Sequence, residues 1–172
     1  MSPSDRIEKT VLLRAPVSRV WQAISIASEF GRWFGIELKG EFAAGKTITG
    51  TFTHGFNEAA ILEFQKSLGL PLSKVKIPDE VLVFCTVERI EPERYFSFHW
   101  IPYGIDAEVD PKTEPTTLVE FHVKKVAEGT ELTIVESGFD RVPAHRRLRA
   151  FRMNEAGWSG QMENVRKYVE GK

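Results

Sequence analysis

Glu136 lies in the run ELTIVESGFD, where strand alternation puts it on the same side as Leu132 and Ile134. A carboxylate on an apolar face is the first candidate for chemistry. Desolvation disfavours its charged form and raises its pKa toward the range of an acid, a base or a ligand anchor. The alternative is that Glu136 sits at the open end of its strand, pairing with an arginine or capping a loop, because carboxylates are seldom buried unpaired. Downstream, Asn154 follows Phe151 by three residues and precedes Trp158 by four, and Gln161 comes one heptad later, so both share one helical stripe. Two readings stand. Either Asn154 and Glu136 read the polar tip of an apolar ligand, or they bond each other or a backbone carbonyl. Gly157, beside Trp158, costs a helix roughly 1 kcal/mol against alanine, which implies close approach of a neighbour or tolerated slack.

The four histidines do not assemble a metal site. His54 ends a strand, His145 opens a helix, and His99 and His122 share an outward parity. Zinc wants a third ligand and an ordered second shell, so no metal is expected. The chain has no GxSxG elbow, HExxH pair or Walker loop, which leaves acyl transfer, zinc proteolysis and nucleotide hydrolysis without a motif. Arg141, His145, Arg146, Arg147, Arg149 and Arg152 crowd the start of the last helix, where positive charge opposes the helix dipole. A bound anion, an acidic partner or the chain's own acids must compensate them.

Composition narrows the classes. The 172 residues are 42% hydrophobic and 27% charged, enough for one core and one domain spanning 1–172. Lysine plus arginine number 23 against 24 acids, so no global positive field draws the chain onto nucleic acid. The single cysteine, Cys85, cannot form an internal disulfide or ligate an iron–sulfur cluster. The start MSPSDRIEK lacks the apolar run of a signal peptide, and no stretch is long enough for a membrane span, so a cytoplasmic protein is expected.

The elements that must position these residues follow from periodicity. Residues 7–14 read as a strand ended by Ala15-Pro16. A short helix from Val17 and a second, capped by Ser28 and closed by Gly35, come next. Residues 36–42 and 46–54 form a hairpin about Ala44-Gly45, with Ile48, Gly50, Phe52 and His54 sharing one parity. Phe56, Ala60, Ile61, Phe64 and Leu68 mark a helix over about 57–68. Strands over 80–91 and 94–101 present Phe96, Phe98 and Trp100 on one side. A loop over 102–115 leads to a hairpin over 116–126 and 130–137, turning at Glu128-Gly129 and pairing Val119, Phe121 and Val123 in parity. The last helix runs over about 143–169, its stripe drawn by Leu148, Phe151, Trp158, Met162, Val165 and Val169. The order predicts an α+β fold with one antiparallel sheet, and a curved sheet around a helix leaves a large, mostly apolar cavity for a ligand.

Three segments carry a resemblance: LLRAPVSRVWQAI with EFGRWFG, PERYFSFHW, and LTIVESGFD followed by FRMNEAGWSGQMENV. They resemble the START-like (SRPBCC, birch-pollen-allergen) superfamily, in the subgroup similar to the C-terminal domain of the activator of the ninety-kilodalton heat-shock chaperone's ATPase. The resemblance implies a helix-grip fold, a curved antiparallel sheet wrapped around a long C-terminal helix with two short helices after strand one. The segment over about 55–79 is an extra helical insertion, a lid, an oligomer surface or plain packing. The implied function is binding a small apolar or aromatic molecule in the cavity, lined by Trp33, Phe52, His54, Phe98, Trp100, Phe121, Glu136, Asn154 and Trp158. No cofactor is expected. The alternatives are a cyclase- or hydrolase-like enzyme using Glu136, and an interaction module with a chaperone partner or a second copy of itself, because this fold hosts many functions.

Overall fold

The computed structural model describes residues 6–53, 57–77 and 81–171. Its seven strands are β1 (Arg6–Leu13), β2 (Ile36–Lys39), β3 (Thr47–Phe52), β4 (Leu82–Glu91), β5 (Tyr95–Trp100), β6 (Thr117–Val126) and β7 (Gly129–Ser137). They form one antiparallel sheet in the order β1-β7-β6-β5-β4-β3-β2. Helices α1 (Val17–Ser25) and α2 (Ala27–Phe34) link β1 to β2, α3 (Glu58–Ser67) links β3 to β4, and α4 (Ala144–Glu170) closes the chain. This is the helix-grip arrangement. Irregular register between Ile48 and Thr49 and between Val87 and Arg89 lets the sheet bend, since an extra residue raises local twist.

The inward parity is as expected: Phe96, Phe98, Val119, Phe121, Leu132, Ile134 and Glu136 are all buried. Each ring buried this way contributes about 1.5–3 kcal/mol of transfer free energy. Two glycines are needed for shape. A Cβ on Gly31 would come 2.1 Å from the Ile36 carbonyl oxygen, so only glycine lets α2 approach β2 this closely. Gly138, at φ +102°, turns the chain out of β7 directly after the Glu136 strand.

Several boundaries and faces differ from the sequence expectation. Helix α2 is entered from Ile26 without a side-chain cap, and Ser28 lies within its first turn. Asn57 caps α3, accepting from the Ala60 amide at 2.9 Å, but the buried side of this helix is Ile61 and Gln65, while Phe64 is exposed. Gln65 turns inward because its amide donates to the Tyr103 hydroxyl at 2.7 Å and its carbonyl accepts from the Ser73 amide at 2.8 Å. On α4, Leu148 is exposed rather than part of the stripe, and Arg146 and Met153 are buried instead. A Cβ at Gly157 would meet nothing within 4 Å, so no close approach requires that glycine.

The basic start of α4 is compensated by the chain itself. Arg146, fully buried, donates through Nε to Glu114 at 2.7 Å and through Nη2 to the Pro102 carbonyl at 2.7 Å, and Nη1 lies 3.5 Å from Asp106. Arg149 bonds Asp106 and Glu108, and Arg147 and Arg152 donate to backbone carbonyls. These links fasten the segment between β5 and β6 to α4. The segment after α3 pairs with it through a Val75–Asp106 bridge.

Candidate functional site

The register of three strands and one helix converges on Glu136. It stands opposite Val119 on β6 and Ile7 on β1, while Trp100 on β5 stands opposite Thr117 on β6, one pair further along the same inner face. Glu136 has no exposed surface. Its Oε2 accepts from the Thr117 hydroxyl at 2.6 Å and the Trp100 indole N–H at 2.7 Å. Its Oε1 accepts from the Trp158 indole N–H at 2.9 Å, and the Asn154 amide reaches both oxygens at 3.1 Å. Every partner is neutral, and among the described residues no cation pairs with this carboxylate.

Burial pushes the Glu136 carboxyl above its ordinary range, and the bonds from Thr117, Trp100, Trp158 and Asn154 oppose that rise by favouring the anion. Of the four partners Thr117 and Asn154 can reverse their role, and the two indoles cannot. The indole N–H groups donate only, whereas the Thr117 hydroxyl can rotate, and the Asn154 amide can flip, to accept a hydrogen bond from Glu136 when the acid is neutral.

Aromatic rings surround the carboxylate. Trp100 and Trp158 stack with centroids 5.5 Å apart at 29°, and Phe34 lies 6.0 Å from each. Phe84, Phe98 and Phe121 close the far side, and Phe30 continues the cluster toward Phe42. Rings therefore occupy the space expected to be an open cavity, because large inward side chains on the strands meet α2 and α4 directly. Two hollows among the described residues lie elsewhere. One, of about 460 Å³, opens between Pro16, Glu93 and Lys125, and one of about 220 Å³ lies beside Ile26 and Glu41. Neither is lined by Glu136, Asn154, Trp100 or Trp158.

The structure thus gathers Trp100, Glu136, Asn154 and Trp158 into one hydrogen-bonded group, with Phe98 and Phe121 packed behind it. Trp33 belongs to a different contact: its indole donates to the Ala23 carbonyl at 2.8 Å and ties α2 to α1. Phe52 is half-buried at the end of β3, and His54 lies outside the described residues. Gln161 bonds the Phe34 carbonyl at 2.9 Å rather than Glu136. Sequence reasoning missed Thr117, although its parity with Val119 and Phe121 marks it as inward. Among the described residues no group of three His, Cys, Asp or Glu side chains could hold a metal ion, and no helix is long and apolar enough to cross a membrane.

No family model and no curated protein matches the chain. Solved structures do. Protein MLL2253 from Mesorhizobium loti superposes with a TM-score of 0.67 at 17% identity, covering 97% of this chain and 98% of that one. DynU16, from the dynemicin biosynthetic locus, gives 0.64 at 22% identity over 99% of this chain, which spans about half (49%) of DynU16. The Aha1 dimer from Colwellia psychrerythraea gives 0.62 at 13% identity, covering 96% of both chains. At these identities the likeness is one of fold, the helix-grip arrangement described above.

Proposed function

We propose that this chain binds a small apolar or aromatic molecule between the sheet and α4, in space that the rings beside Glu136 yield on binding, with Glu136 and Asn154 meeting its polar end. One observation carries the reading: Glu136 is a fully buried carboxylate held only by neutral donors. Burying such a charge costs more than packing an apolar residue in its place, so stability alone is a poor reason to keep it. The rings that reach solvent beside it are Phe34 and Trp100, both half-buried. Native mass spectrometry of the chain isolated from its own host, followed by denaturing extraction, tests this. A retained small molecule supports the reading, and an empty protein that also fails to bind any aromatic probe by calorimetry overturns it.

A second reading, a protein-interaction module, is favoured by apolar side chains left in water on the insertion: Phe64 is 39% and Leu72 63% exposed. A helix-grip neighbour described as an Aha1 dimer makes a second copy one partner to try, and a chaperone is the other that the sequence resemblance implies. Sedimentation of the chain alone and with a chaperone separates the two. The enzyme reading predicts that Glu136→Gln abolishes turnover of a bound compound while affinity persists.

A further inference from the structure

Trp100 already shows what shape fits beside Glu136. Its indole lies on the Trp158 ring, is walled by Phe34, Phe84 and Phe98, and points its N–H at Oε2 from 2.7 Å. Unlike Trp158, which is 2% exposed, Trp100 is half-buried and sits at the last position of β5, where the chain leaves the sheet. Its neighbour in the ring stack, Phe34, is the last residue of α2 and half-buried too. Of the two indoles that hold the carboxylate, Trp100 is therefore the one nearer solvent.

The unmet requirement of the site is charge. Thr117, Trp100, Trp158 and Asn154 satisfy the hydrogen-bonding capacity of Glu136 but bring no net positive charge into a region from which water is excluded. The two indoles meet Glu136 by their N–H edges, so they solvate the anion with dipoles and leave its charge uncompensated. A neutral donor would only replace the bond that Trp100 makes. A cation would replace that bond with a stronger, charge-assisted one and offset the burial of the anion.

We infer that Glu136 is the receptor for a protonated amine carried on an aromatic or fused-ring molecule, whose ring takes the place of the Trp100 indole against Trp158. This rests on the binding reading above and names the class of ligand. The ammonium donates to Oε2, Asn154 and Trp158 hold Oε1, and Trp100 is displaced outward. No covalent step is involved. Where Glu136 holds its proton before binding, capture of the cation releases that proton to the buffer.

Calorimetry of the full chain with tryptamine, tryptophol and indoleacetate tests the inference, because the three share an indole and differ in the charge of the tail. The expected result is tryptamine binding at least about tenfold tighter than tryptophol, with indoleacetate weakest. Glu136→Gln should erase the preference for tryptamine. Trp100→Ala, which opens the slot, should tighten tryptamine binding and keep the preference. The comparison of probes on the unaltered protein stands even where a variant fails to fold. Tryptophol binding as tightly as tryptamine, or indoleacetate binding best, overturns the ligand class while leaving the binding reading in place. Failure of all three to bind both the unaltered chain and a folded Trp100→Ala overturns both.

Discussion

Trp100 and Thr117 face each other across β5 and β6, and both donate to the same oxygen of Glu136, at 2.7 and 2.6 Å. The pair is asymmetric. The indole can only donate a hydrogen bond, while the hydroxyl can donate or accept one, so of this pair Thr117 is the one able to follow a change in the protonation of Glu136.

That asymmetry makes a pH prediction. The Glu136 carboxyl is raised above its ordinary value of 4.5 in the fold and keeps the ordinary value when unfolded. Between those values the folded chain holds a proton that the unfolded chain releases. The stability it contributes is fully present below the ordinary value and is lost as pH rises through the folded value. Urea unfolding across a pH series should show the unaltered chain losing stability relative to Glu136→Gln over that window. Thr117→Val removes the leading bond favouring the anion and should extend the loss to higher pH; a difference that is flat or grows in the opposite sense rejects this account.

Gly157 lies inside α4 with open space where its Cβ would stand. Gly157→Ala should raise stability by about 0.5–1 kcal/mol, by restricting the unfolded chain and favouring helix. Thermal unfolding reads this as a higher Tm. A lower Tm would mean that the helix needs slack there.

Arg146 is 1% exposed and joins Glu114, the Pro102 carbonyl and Asp106. Removing it as Arg146→Met strands a buried carboxylate and a carbonyl, and should cost about 3–5 kcal/mol. Arg149, whose side chain is 15% exposed, reaches the more open Glu108 as well as Asp106, and Arg149→Ala should cost clearly less. Equal losses in urea unfolding would contradict the division of labour drawn from burial.

Cys85 is buried on β4, and desolvation pushes its thiol up to about 12. The thiolate is the reactive form, so the folded chain should resist a disulfide reagent at mildly alkaline pH and react at once in denaturant. Rapid reaction without denaturant would place the thiol at the surface.

What the sequence determined by itself was periodicity. Alternation along residues 130–137 put Glu136 inward, and the helical stripe put Asn154 and Trp158 on the inner side of α4, because each pattern depends only on the geometry of one continuous segment. The same local logic placed the hairpin turns and the two short helices. It erred at Leu148 and Phe64, apolar residues that share a helical spacing with buried ones yet lie in water, because the width of a buried stripe depends on what packs against it.

Tertiary structure alone decided the partners. The register of β5 on β6 brings Trp100 to Thr117, and α4 crosses the sheet where Asn154 and Trp158 meet Glu136. Whether the interior was hollow was equally beyond periodicity, since it depends on the summed volume of rings from five strands and helices meeting in one place. The basic start of α4 found its acids in the segment between β5 and β6, some forty residues upstream. Local rules fix which way a side chain points; only the pairing of remote segments fixes what it meets.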